Sequence, residues 1–183
     1  MSVYLKPFLA AFVFLFAIGP LQVLADTAAE IDRDTDAALQ KLYKSSPAAV
    51  KLSKTAKGIL VYPDVIKAGL VVGGQYGEGA LRVGGKTVGY YNTVAASYGL
   101  QAGAQSFGYA MFFMTDEALD YLKSSDGWEV GIGPSVVVVD EGVARTLTTT
   151  TGKDDIYAFI FNQEGLMAGL GIQGSKISSI TPE

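Results

Sequence analysis

Side chains able to do chemistry are scarce in this chain of 183 residues, which has neither histidine nor cysteine. Their absence excludes Ser-His-Asp and Cys-His nucleophile systems, His-bearing zinc or haem sites, and any disulfide framework. Carboxylates remain, and two of them suffice for glycoside hydrolysis. Adjacent acids stand at Asp116-Glu117, Asp140-Glu141 and Asp154-Asp155. Each pair falls at a strand or helix end, where acids form turns and caps, and no acid sits isolated in an apolar run that would raise its pKa. The run from Gly79 to Thr87 resembles a phosphate loop, but five residues separate Gly79 from Gly85 where such a loop has four, and strand-like sequence follows it. No catalytic residue, metal ligand or cofactor is expected, so the chain reads as a non-enzyme.

Lysines carry the clearer signal. Lys41, Lys44, Lys51, Lys54, Lys57 and Lys67 gather in one stretch, and from Ala37 to Lys67 the sole acid is Asp64. Lys51, Lys54 and Lys57 are three apart, so on a helix they would drift over an arc of about 120° and form one cationic flank. The formal net charge of −4 argues against nucleic-acid binding, which needs a basic field. A local basic helix in an acidic protein can still dock on anionic lipid, each near-surface lysine contributing about 1 kcal/mol. The competing explanation is the ordinary charged outer face of a surface helix, packed down by Ala48, Leu52 and Ala56.

The elements that must position these residues follow from periodicity. Lys6, an apolar run from Phe8 to Ile18, the breaker Gly19-Pro20, and small residues at Val23 and Ala25 have the order of a signal peptide cleaved before Asp26. The expected domains are therefore a signal peptide over 1–25 and one domain over 26–183, working in the periplasm or outside the cell. Asp26 to Lys44 predicts a helix with an apolar stripe of Ile31, Thr35, Ala38, Leu39, Leu42 and Tyr43 and its acids at the N-terminal end. Ser46-Pro47 restarts a second helix that runs to Lys57 and stops at Gly58. A third helix is expected over Asp116–Lys123 behind Thr115.

Between and after these helices the period is two. Ile59–Tyr62 reads as a strand ended by Pro63-Asp64, and Gly84-Gly85 as a hairpin turn. Ser97–Met114 is long enough for one bent strand or two, with Ala104 on an apolar face and Gln105 on a glycine-lined one. Trp128–Gly133 and Leu166–Gln173 repeat that alternation, Val136–Asp140 and Val143–Thr151 form a hairpin, Thr146–Thr151 is an edge, and Ile156–Phe161 is a strand. Glycine inside a strand is costly unless a partner approaches closely or the sheet bends. The expected fold is α+β: a curled antiparallel sheet or small β-barrel with two N-terminal helices and one inserted helix, its glycine-rich face a smooth platform.

Three blocks in this order resemble the SYLF domain family. They are Ala56-Lys57-Gly58-Ile59-Leu60-Val61-Tyr62-Pro63-Asp64 continuing to Gly79, Tyr98-Gly99-Leu100-Gln101-Ala102-Gly103-Ala104-Gln105, and Asn162-Gln163-Glu164-Gly165-Leu166 continuing to Gly174. The resemblance implies a lipid-binding domain, with phosphoinositide and actin-filament binding in eukaryotic relatives, and a basic N-terminal segment that engages the membrane. It points to Lys51, Lys54 and Lys57, then to Lys41 and Lys44. An exported bacterial member would not meet actin, so that activity is not carried over. Anionic phospholipid is the expected partner, and a protein bound on the glycine-rich sheet face, as in an envelope stress-response module, is the alternative.

Overall fold

The computed structural model describes residues 26–69, 72–98, 103–139, 153–165 and 174–183. The expected signal peptide, the hairpin around Glu141-Gly142, the Thr146–Thr151 edge and the Leu166–Gln173 strand lie outside these residues. Among the described residues the order is α1 (Ala28–Ser45), α2 (Pro47–Ser53), β1 (Gly58–Gly69), β2 (Val72–Val83), β3 (Lys86–Tyr98), β4 (Gly103–Phe113), α3 (Asp116–Ser124), β5 (Trp128–Glu129), β6 (Val136–Val138), β7 (Ile156–Gly165) and β8 (Lys176–Ile180). The expected α+β class is correct.

All eight strands join one sheet in the order β5-β8-β3-β2-β1-β4-β7-β6. Its pairs are antiparallel except β6 with β7, which is parallel, a departure from the all-antiparallel expectation. The sheet must curl, because β4 and β5 lie five positions apart yet the Phe113 and Trp128 rings are 6.3 Å apart. On a flat sheet five steps would separate them by about 24 Å. The concave face gathers Leu60, Leu81, Phe107, Met111 and Ile177 from distant strands, and α3 seals it with Ala118, Leu119 and Leu122. Trp128 is pinned there by its indole N–H, which donates to the Ile132 carbonyl at 2.8 Å, and by the edge of Tyr121.

The convex face is covered over one half. There α1 and α2 press Ala38, Leu42, Ala49 and Leu52 onto Val61, Ala110, Phe112 and Phe159. Helix α1 forms as its stripe predicts, burying Ile31, Thr35, Ala38 and Leu42, and it starts with a complete Thr27/Glu30 capping box. Ser46 caps α2 with Pro47 in its first turn, and Thr115 caps α3, both as expected.

The boundaries of α2 and β1 differ from the sequence reading. Helix α2 stops at Ser53, short of the expected Lys57, because the Lys57 amide already donates to the Phe113 carbonyl at 2.8 Å and so enters the sheet ladder. Strand β1 does not end at Pro63-Asp64. It runs through to Gly69 with a register shift between Val61 and Asp64, where the missing proline N–H leaves no gap in a regular ladder. Gly79 faces that shift, and a Cβ there would collide with the Val61 carbonyl and come within 2.8 Å of the Tyr62 ring. The β2–β3 turn is the expected one, with Gly84 and Gly85 at φ 57° and 78°.

Candidate functional site

The six lysines do not form one ridge. Lys41 and Lys44 are exposed on the last turns of α1, Lys51 is exposed on α2, and Lys54 is exposed at its C-cap. These four share the end of the molecule where α1 hands over to α2, and the apolar undersides of both helices hold them there. Lys57 lies beyond the helix, so the predicted helical arc does not extend to it. Its ammonium is 3.0 Å from Asp116 at the start of α3.

Lys67 is elsewhere altogether. It points into the concave face and is 8% exposed, since the shift at Pro63 sets Tyr62, Val65 and Lys67 on one side of β1. Its register neighbours are Gln75 on β2 and Gln105 on β4, both buried. The Gln75 amide donates to Ser175 Oγ at 3.2 Å. This polar end of the interior was missed by the sequence reading, which placed Gln105 on the bare face and Ala104 on the apolar one; the structure reverses the two. The signal lay in register, because Lys67, Gln75 and Gln105 align only once Pro63 is counted inside the strand.

The glycine positions differ among themselves: Gly103 and Gly131 border open space, whereas two others are closed over by rings. Tyr62 packs over Gly79, and the Phe161 ring lies on Gly108, so the chain's own aromatic rings fill the space left by the missing side chains. Trp128 and Val130 are buried as the alternation predicts, but Ile132 is exposed and the strand there is only two residues long.

Helix α1 is fastened to the β2–β3 hairpin by a polar clasp centred on Asp32. Its carboxylate accepts from Thr87 Oγ1 at 2.6 Å and from Tyr90 OH at 3.2 Å. Arg82 donates to the Asp32 carbonyl at 3.0 Å and lies 2.9 Å from Asp36. The acids that the sequence assigns to the helix dipole therefore have a second task, holding the helix on the sheet.

At the start of α1 lies an acidic recess of about 230 Å³, lined by Asp26 just before the helix, by Asp34 on it, and by Asp64, Ile66, Tyr76 and Glu78 from the sheet. Asp64 and Glu78 are direct cross-strand neighbours, a carboxylate pair invisible in sequence. Partial burial raises the Asp26 carboxyl, and the nearby charges of Glu78, Glu30 and Asp34 raise it further. Tyr76 donates to Glu78, and burial together with that carboxylate pushes its hydroxyl up to about 12.

The acid pairs weighed as catalytic are structural where they are described. Asp116 and Glu117 occupy the first turn of α3. Asp155 accepts from the Ser135 amide and hydroxyl, and Asp154 accepts from Tyr157 OH at 3.2 Å. Asp140-Glu141 lies outside the described residues. The Gly79–Thr87 run is a β-hairpin with no helix behind it. Among the described residues no group of three or more His, Cys, Asp or Glu could hold a metal ion, and no helix is long and apolar enough to cross a membrane.

The features on view are surfaces: a lysine-bearing pair of helices, an interior sealed by aromatic rings, and a half-bare convex sheet. They belong to a domain of the α+β class. Residues 94–182 match the family model of Ysc84, described as a Las17-binding protein actin regulator. That segment, from within β3 past the end of β8, is where the chain matches the Ysc84, or SYLF, family that its sequence blocks resemble. No curated protein matches the chain.

Proposed function

We propose that this chain is an exported, non-enzymatic lipid-binding domain that docks on anionic membrane surfaces through Lys41, Lys44, Lys51 and Lys54. The observation that carries the reading is the exposure of all four on adjoining turns of two helices whose other sides are buried against the sheet. A rigidly held set of four cations, each worth about 1 kcal/mol near an anionic surface, binds without a deep pocket. Lys57 contributes less because Asp116 offsets its charge, and Lys67 does not take part because it faces the interior. Export is proposed from the N-terminal pattern. Cleavage before Asp26 would leave the Thr27/Glu30 capping box whole, so the mature domain would begin at a finished helix start.

Vesicle flotation tests the docking. The protein is expected to float with phosphatidylglycerol vesicles and not with phosphatidylcholine vesicles, and to be released as salt rises. Replacing Lys41, Lys44, Lys51 and Lys54 together by Glu should weaken binding at least 100-fold, given about 1 kcal/mol per lysine. Equal flotation on both lipids, or an unaffected quadruple variant, would remove the proposal. N-terminal sequencing of the protein recovered outside the cytoplasm tests the cleavage, with Asp26 as the expected first residue.

A further inference from the structure

Among the described residues nothing covers the convex face beyond α1, and its side chains form a shallow trough running across four strands. The floor is a row of small exposed residues in direct register, Ala96, Gly74, Ala68 and Ala104 on β3, β2, β1 and β4. One wall is the neighbouring row of Val94, Tyr76 and Ile66, all large, exposed and apolar. Four strands set the floor at roughly 14 Å long, about the width that one helix or one extended segment covers. Isolated apolar side chains on a surface need no explanation, but three in a row beside a small-residue floor form a contiguous patch, which marks a contact site.

Charge indicates what covers it. Behind the Val94–Tyr76–Ile66 wall stand Glu78 and Asp64, with Asp26 and Asp34 across the recess. Glu164 lies on the same face opposite Ser106, at the β7 end. Among the described residues two cations stand near it: Arg33, which pairs with Asp34 at 3.0 Å, and Lys176 beside Val94, whose side chain lies against Gly127 on the far edge; Asp64, Glu78 and Glu164 remain as the acids on the sheet. The rim is therefore negative, and its sheet acids Asp64 and Glu78 lie by the start of α1, whereas the lysines lie at its other end. We infer that this trough is a docking site for a basic amphipathic polypeptide segment of a partner protein, its apolar side chains on the alanine-glycine floor and its Lys or Arg against Asp64, Glu78 and Glu164. An anionic bilayer would be repelled by the same rim, so this surface is distinct from the one proposed for lipid, and neither reading depends on the other.

The test uses two fluorescein-labelled helix-forming peptides of 18 residues, one of Lys and Leu and one of Glu and Leu, titrated with the full chain and read by anisotropy. The Lys/Leu peptide is expected to bind and the Glu/Leu peptide is not. Ala68→Lys with Ala96→Lys, both at exposed floor positions, should weaken binding at least tenfold, and Asp64→Asn with Glu78→Gln about threefold. Emission from the buried Trp128 reports whether each variant keeps its fold. Absence of binding, equal binding of both peptides, or indifference to the floor variant would overturn the inference. So would a floor variant that abolishes self-association in sedimentation, which would make a second copy the occupant. Loss of flotation with lipid vesicles in the same variant would make the occupant a membrane and overturn it equally.

Discussion

Along β1 the outward side chains change character at Pro63. Before it, Ile59 and Val61 lie under α1 and α2 with the aromatic rings of Phe112, Tyr157 and Phe159. After it come Asp64, Ile66 and Ala68, which face solvent, with Tyr76 and Val94 beside them. The two halves share the same strands and the same pleat, and differ in what lies over them. Covered positions carry large rings that helices can grip, whereas bare positions alternate small residues with a row of apolar ones and are edged by acids. The cover is thus written into side-chain size, and the uncovered half is a surface of a different chemistry rather than a gap in the core.

Substitutions should separate the halves sharply. Phe112→Ala removes a fully buried ring packed edge-on against Phe159 at 5.1 Å and should cost about 3–5 kcal/mol in urea unfolding followed by Trp128 emission. Tyr76→Ala in the bare half should stay within about 1 kcal/mol; a loss like that of Phe112 would show that both halves belong to one core. Asp32→Ala removes the acceptor of Thr87 and Tyr90 and a partner of Arg82, and should cost about 2 kcal/mol, with amide exchange rising in α1 before it rises in β1.

Smaller effects sharpen the same contrast. Thr27→Ala, which opens the capping box where the covered half meets the bare one, should cost about 1 kcal/mol by the same assay. Asp116→Asn should change stability by less than about 1 kcal/mol, since the Lys57 pair is exposed, while strengthening flotation on anionic vesicles if Lys57 is thereby released to the surface. The smallest effect is on pH. Hydrogen bonds from the Thr27 backbone and hydroxyl hold the Glu30 carboxyl below the usual range. Its capping contribution is therefore complete above the ordinary glutamate value and is lost as pH falls through the lowered one. Acid titration of Glu30 by NMR should show that direction.

The helices were legible because their signals are local. Ser46 with Pro47, Thr115 before Asp116, and the Ile31–Leu42 stripe each act within a turn or two of the chain, and α1 needs nothing distant to be recognised; the Thr27/Glu30 capping box is just as local but was not read. Curl, register and cover are not local. Gln105 faces inward with Phe107, Tyr109, Met111 and Phe113, and its register beside Lys67 emerges only when the extra residue of β1 at Pro63 is counted. Lys67 was placed with the other lysines by proximity in sequence, and the same shift turns it to the interior. The acidic recess escaped notice because Asp26, Asp64 and Glu78 come together only when β1 pairs with β2 under the start of α1.

One strand has an outsized role in assembly. β8 follows all the other described strands in sequence yet lies between β3 and β5, with Tyr90 paired to Ile180 and Trp128 to Ile177. Until synthesis reaches residue 176 the rim of β3 has no neighbour and Trp128 has no strand to rest against. Pairings of such long separation are slow to find. A chain that stops short of residue 176 would leave that margin of β3 as an open strand edge, ready to pair with another chain.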